Sequence, residues 1–236
     1  MRLSRISQQR LSIILIYVLL LAGGLWHALD LLQREMRVLA SPMIIAITLL
    51  LCLNYFRDGD DDTNAAASRH TAKQRRQFVL WSSFVIIASF FIELIGVKTG
   101  ALFGEYDYLE ILQPTLLGVP IAIGFAWLGM IICSAAIAAR MITANETRRQ
   151  LLLPATIAFL MVIFDFFMEP AAVKLGYWRW ESGMVPARNY FAWFVFGYFF
   201  SYIGLRLEIF NQRASTVAIH AYVAQLLYFA MVNASK

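Results

Sequence analysis

Cysteine, histidine and charge are all scarce in this chain. Its 236 residues include two cysteines and three histidines, and only 15% are charged. Cys52 and Cys133 form no CxxC pair, show no metal-ligand spacing and lie in apolar runs, so they read as inert core thiols. Three isolated histidines make no case for zinc or iron. His27 has Asp30 three residues on, which predicts a buried pair that satisfies itself, and His220 reads as a packed residue of the last apolar run. An ordinary soluble domain is about 45–50% apolar and about 25% charged. At 60% hydrophobic with a positive mean hydropathy, this chain falls outside that class. The first apolar run also lacks a small-residue cleavage site, and Arg2, Arg5 and Arg10 precede it. It is expected to remain as a span rather than serve as a signal peptide.

The apolar residues are gathered in blocks of about 18–25, the length that crosses about 30 Å of hydrocarbon as a helix. Alternating ten-residue strands, the mark of a barrel, are missing. The pattern predicts an all-α polytopic membrane bundle, a single integral domain over residues 1–236. About seven transmembrane helices are expected, near 11–32, 38–56, 78–98, 116–140, 151–172, 189–207 and 214–233. Gly118 and Pro120 stand at the entrance of the fourth block. With the N-terminus inside, 13 Lys and Arg lie on the cytoplasmic side and 7 on the outer side. The positive-inside rule then predicts a multi-pass protein of the cell (inner) membrane, N-terminus cytoplasmic and C-terminus outside. The net charge of +5 is accounted for by these flanks and calls for no nucleic-acid partner.

Residues 57–77 read as a polar cytoplasmic loop. Asp58, Asp60, Asp61 and Asp62 invite a magnesium-diphosphate reading, but they are bunched around Gly59 rather than set at helical spacing, next to a basic run. An EF-hand would need a Glu at its twelfth position, which is absent. A solvated loop is the expectation.

The outer loops carry an internal repeat. Glu93 is followed 13 residues later by Tyr106, and Asp165 13 residues later by Trp178. GEYDY (104–108) matches GYWRW (176–180) as Gly-x-aromatic-x-aromatic. Trp127 follows Pro120 by seven residues, as Trp193 follows Pro186. Both copies begin on a span running in the same direction, so the third-plus-fourth and fifth-plus-sixth spans form parallel repeats about an axis along the membrane normal. Glu105 and Asp107 alternate with the tyrosines in an exposed turn and are expected to be solvated.

Acids inside spans are costly, about 2.5 kcal/mol or more for Asp at a helix centre. Glu93 and Asp165 both sit within apolar runs, and Glu169 follows Asp165 on the same helix face. Desolvation and mutual repulsion favour the protonated form of at least one of the pair, and a protonated carboxyl in an apolar site is a proton donor. Tyr106, Tyr108, Trp178 and Trp180 offer π faces that attract a cation. Acid beside aromatic cage suits protonation of an alkene, then quenching of the carbocation by water or by a second double bond. Three other readings stay open. Glu93 could pair with Lys98, and Glu169 with Lys174 or Arg179, purely to hold helices together. The acids could be the proton relay of a coupled transporter. Trp127 and Trp193 could belong to the aromatic belt.

At these residues the sequence resembles a known family. FIELIGVKTGALFGEYDY with GVPIAIGFAW, and DFFMEPAAVKLGYWRW with VPARNYFAW, look like the CruF-type carotenoid biosynthesis membrane proteins over roughly residues 78 to 207. The resemblance implies a carotenoid 1,2-hydratase-like hydro-lyase. Such an enzyme adds water to the terminal C1–C2 double bond of an acyclic ψ end without a redox cofactor. Its partners would be a forty- to fifty-carbon acyclic carotenoid or related isoprenoid and the membrane lipid. On that reading Glu93 or Asp165 donates the proton, and the other or Glu169 positions water. Tyr106, Tyr108, Trp127, Trp178, Trp180, Asn189 and Trp193 line the end-group pocket, and Lys98, Arg179 and Arg188 tune the acids. The alternatives are a lycopene-cyclase-like enzyme, of which MEP (168–170) is a reversed hint, and a transporter or carotenoid-binding membrane protein.

Overall fold

The computed structural model describes residues 5–58, 65–142, 146–211 and 215–235. Its elements are seven helices, α1 (Arg5–Ala28), α2 (Gln33–Asp58), α3 (Ala65–Thr99), α4 (Ala122–Met141), α5 (Glu146–Lys174), α6 (Ala187–Arg206) and α7 (Thr216–Ala234). Four short strands, β1 (Tyr106–Tyr108), β2 (Thr115–Leu116), β3 (Val119–Pro120) and β4 (Trp178–Trp180), lie between helices at one end of the bundle. Apart from α6, the helices are long and apolar enough to cross a membrane. A helix satisfies all its interior backbone groups within itself, which is why apolar runs of this length take that form in lipid. α6 is as long as α4 but rich in Tyr, and it packs along α5.

A helix stands at each of the seven expected spans, with shifted ends, and six of the seven are long and apolar enough to cross a membrane. The fourth helix starts at Ala122 rather than near residue 116, because residues 115–120 form the β2–β3 hairpin. Its turn holds Leu117 and Gly118 at positive φ, a conformation no helix continues. The polar segment 57–77 is helical wherever it is described: α2 runs to Asp58 and α3 starts at Ala65. Asp60, Asp61 and Asp62 lie outside the described residues.

α4 is the axle. It packs against α2, α3, α5 and α7, and most of its residues are buried. Its small residues permit this. A Cβ added at Gly124 would stand 2.5 Å from the Ile86 carbonyl oxygen, so the glycine lets α4 close on α3 one turn before Trp127. At the end remote from the strands, the Tyr55 and Phe78 rings stack at 3.7 Å and the Trp81 indole donates to the Phe200 carbonyl at 3.1 Å. At the strand end, the Lys174 ammonium donates to the Ser235 carbonyl and Asn233 donates to the Phe167 carbonyl. The C-terminal end of α7 therefore shares a face of the bundle with the strands.

His27 and His220 also find partners. His27 pairs with Gln33, 3.0 Å from Nδ1 to Oε1, and not with Asp30, which is exposed at positive φ just beyond α1. The chain turns away before Asp30 can share the helix face of His27. His220 packs on Tyr17, whose hydroxyl lies 3.2 Å from its Nδ1. Cys52 and Cys133 are free thiols.

Candidate active site beneath an aromatic ribbon

α3 and α5 end in the same way. Gly100 and Gly176, just past the two helices, take positive φ (62° and 73°) and close the last turns with backbone bonds to Gly96 and Val173. Counting back seven residues from each glycine reaches Glu93 and Glu169. The segments align as ELIGVKTG and EPAAVKLG, sharing Glu-x-x-x-Val-Lys-x-Gly. The connection to the following strand is four residues longer in the first half. An ungapped 13-residue spacing therefore selects Asp165, one helical turn too early, as the partner of Glu93; the helix ends pair Glu93 with Glu169.

β1 and β4 then pair with each other, antiparallel. Tyr106 faces Trp180, Asp107 faces Arg179 and Tyr108 faces Trp178. A local twofold axis through the central pair exchanges the strands, as expected for parallel repeats. Alternation along a strand sends the four aromatic side chains to one face of this ribbon, toward the bundle, and leaves Asp107 and Arg179 exposed on the other.

Each strand grips the glutamate of its own half. The Tyr106 and Tyr108 hydroxyls donate to Oε2 of Glu93 at 2.5 and 3.0 Å. The Trp178 and Trp180 indoles both donate to Oε2 of Glu169 at 2.9 Å. From the next helix of each half comes a further donor. The Trp127 indole reaches Oε1 of Glu93 at 2.9 Å. Asn189 Nδ2 stands 3.5 Å from Oε1 of Glu169 and 2.7 Å from Oδ2 of Asp165. Asp165 is fully buried, and its Oδ1 has no hydrogen-bond partner among the described residues. Burial and the neighbouring Glu93 push the phenols of Tyr106 and Tyr108 well above their usual range, so both remain neutral hydroxyls.

Below the ribbon lies a cavity of about 110 Å³. Glu93 and Glu169 face it beneath the four ribbon aromatics. Trp127 and Trp193, the repeat-related tryptophans of α4 and α6, stack at 4.2 Å and 12° to form one wall. Apolar side chains of α2, α4 and α7 continue the lining, with Gln225 among them. From Ile123 to Met130 of α4 the cavity follows seven residues, about 10 Å at 1.5 Å each.

Tyr106, Tyr108, Trp127, Trp178, Trp180, Asn189 and Trp193, the expected pocket residues, are brought together around this one cavity. Of the three expected acids, Glu93 and Glu169 face the cavity, while Asp165 lies behind its wall. Lys98, Arg179 and Arg188 are exposed, and none hydrogen-bonds the acids, whose neighbours are hydroxyls, indoles and an amide. Helix-holding ion pairs of Glu93 with Lys98 or of Glu169 with Lys174 are not formed. Each lysine lies five residues after its glutamate, about 140° away around the helix. Glu105 and Asp107 are exposed, as expected. Sequence reasoning missed the α2 wall of Ile44, Ile47, Thr48 and Leu51, and Gln225 and Phe229 of α7. No motif marks them, because apolar residues at helical spacing look alike whether they face a cavity, a core or lipid.

The arrangement offers two carboxyl groups for proton exchange, π faces to stabilise positive charge, and an apolar lining for a hydrocarbon. The profile of the family described as "Carotenoid biosynthesis protein" matches residues 43–236. The chain is also 31% identical over 113 residues to a protein named bisanhydrobacterioruberin hydratase from Haloarcula japonica. That alignment covers 46% of this chain and 38% of the relative, so the chain spans well under two thirds of the relative it matches. No solved structure gives a significant match.

Proposed function

The chain belongs to the carotenoid biosynthesis protein family, and from that premise we propose that it is a hydro-lyase that hydrates the terminal C1–C2 double bond of an acyclic carotenoid end group. One observation carries this reading. Two glutamates, each held by a pair of aromatic donors, face the same apolar, aromatic-walled cavity.

The chemistry follows from that geometry. A carboxylic acid gives its proton to C2, and the alkene π pair becomes the new C–H bond. The positive charge falls on C1, the tertiary carbon. The Trp127, Trp193 and ribbon rings stabilise it, each π contact contributing about 0.5–2 kcal/mol in a desolvated site. Water adds its lone pair to C1 and releases a proton to a carboxylate, leaving a tertiary alcohol. Alkene plus water equals product, so no redox equivalents enter. The lining along α2 and α4 accommodates the hydrocarbon behind the end group. The ribbon end of the bundle corresponds to the outer face of the cell membrane by the distribution of Lys and Arg.

Expression in a host that accumulates lycopene or another acyclic carotenoid, with mass spectrometry of the pigments, tests the proposal. A gain of the mass of one water per reacting end supports it. Ring formation at constant mass would make the protein a cyclase. Unchanged pigment from several acyclic substrates, with the protein verified in the membrane, would point to a transporter or binding protein and defeat the enzyme reading.

A further inference from the structure

The two halves are not chemically equal. Aligned on their helix ends, Glu93 has Ser89 one turn earlier, where Glu169 has Asp165. Ser89 turns back and donates to its own helix at the Val85 carbonyl, 2.7 Å away. Aligned on the prolines before α4 and α6, Ile123 stands where the second half has Asn189. The buried pair Asp165–Asn189 is therefore an addition peculiar to the second half.

The donor types show what it adds. An indole N–H donates only and cannot accept. Oε2 of Glu169, facing two indoles, must be an acceptor, so a proton on Glu169 belongs on Oε1. That oxygen lies 3.5 Å from Asn189, at the outer limit of a hydrogen bond. Glu93 is different. Its Oε1 accepts from an indole and its Oε2 from two hydroxyls, which leaves one of its about four lone-pair sites free.

We infer that Glu169 is the acid that protonates the substrate, that Glu93 is the base that takes the proton of the attacking water, and that Asp165 is a positioning residue acting through Asn189. This rests on the hydratase reading. Asp165 touches neither the cavity nor any reacting atom. By accepting one N–H of Asn189 at 2.7 Å, it fixes the amide so that nitrogen, not oxygen, points at Oε1 of Glu169. While Glu169 holds its proton, that N–H has little to bind. When the proton leaves for C2, negative charge appears on Glu169 and the waiting N–H closes on it. A donor placed where charge develops in the transition state accelerates the step without strengthening the ground state. The proton collected by Glu93 returns to Glu169 before the next turnover.

Four variants and two readouts test the assignment. Glu169→Gln should lower turnover by about 10²–10⁴-fold. Asn189→Ala should lower kcat by about 10²-fold, the usual scale for losing one such donor, with KM within about twofold. Asp165→Asn should leave residual turnover of similar size that still declines with rising pH, because the acid that must stay protonated is intact. If Asp165→Asn is inactive while Glu169→Gln turns over, Asp165 is the donor and the assignment is overturned. The second readout needs no substrate. In infrared spectra of the folded protein in lipid, one protonated-acid carbonyl stretch should be lost in Glu169→Gln and persist in Asp165→Asn. Loss in Asp165→Asn alone, or no such band in the unmodified protein, overturns it. Asp165→Ser with Asn189→Ile rebuilds the polarity of the first half. It should fold and keep the infrared band but show the same kcat deficit; full activity would overturn the role of the pair. Because the infrared arm is independent of substrate, its result stands even if the pigment experiment rejects the hydratase reading.

Discussion

From the ribbon, the first half of the duplicated core meets its glutamate with hydroxyls, the second with indoles. Tyr106 and Tyr108 occupy the same places on the ribbon as Trp178 and Trp180, and each pair converges on one oxygen of a glutamate seven residues before a left-handed glycine. Geometry has been kept and chemistry has diverged. A hydroxyl can reverse its hydrogen bond and pass a proton on; an indole cannot. The comparison teaches that a duplicated acid need not be a duplicated role. Asp165 and Asn189, found only beside Glu169, point the same way.

The most severe way to break the comparison is to remove each acid. Glu93→Gln and Glu169→Gln should each reduce pigment hydration by about 10²–10⁴-fold, the usual contribution of a general acid or base. Turnover measured in membranes with equal protein content checks this, and unimpaired activity of either variant would remove that glutamate from the mechanism.

A smaller effect separates the donors. Tyr106→Phe leaves Glu93 short of its shortest partner, and Trp180→Phe leaves Glu169 with one indole. Each should cost about 1–3 kcal/mol of stability, the usual penalty when a buried polar group loses a partner. Thermal unfolding in detergent measures it. Only the Tyr106 change should also alter the solvent isotope effect on turnover, since only a hydroxyl lies on a route for protons.

The helix ends sharpen the match. Gly176→Ala places an L side chain at φ 73°, its Cβ in ordinary contact with Ile111 at 3.7 Å, and should destabilise by about 1–2 kcal/mol. Gly100→Ala should cost more, because its Cβ would also stand 2.7 Å from Glu105 Cγ. Equal melting temperatures for the two variants would contradict this. The smallest effect lies outside the cavity. Glu181, exposed beyond β4, has its acidity weakened by its hydrogen bond to Glu105 and by that residue's charge, which raises its pKa above the usual 4.5. The folded state thus binds that proton more tightly than the unfolded chain. The contribution is complete below about pH 4.5 and is lost as pH rises through the raised value. Melting temperature should fall slightly over that window, and Glu181→Gln should flatten the slope.

Much of this was legible in the residues. Long apolar runs imply helices, and acids within them imply a site. Pro120 and Pro186, each seven residues before a tryptophan, announced two rings that the bundle stacks on one another. The repeat was legible too, but its register was not, because the ungapped match ran through a loop of unequal length. The shared Glu-x-x-x-Val-Lys-x-Gly was the better signal, since helix geometry carries a spacing faithfully where a loop does not. The two cavity walls on α2 and α7 had no signal at all.

By itself, the sequence determined that this chain forms a helical bundle for the membrane, that its core is duplicated, and that acids and aromatics gather at one end. Those properties depend on periodicity, length and desolvation cost, all of which are local to the chain. Which carboxyl faces the cavity was decided only by the tertiary structure. Asp165 and Glu169 share a helix face one turn apart and are equivalent by spacing. The antiparallel ribbon brings the indoles to Glu169, Asn189 of α6 claims Asp165, and of these two buried acids only Glu169 faces the cavity.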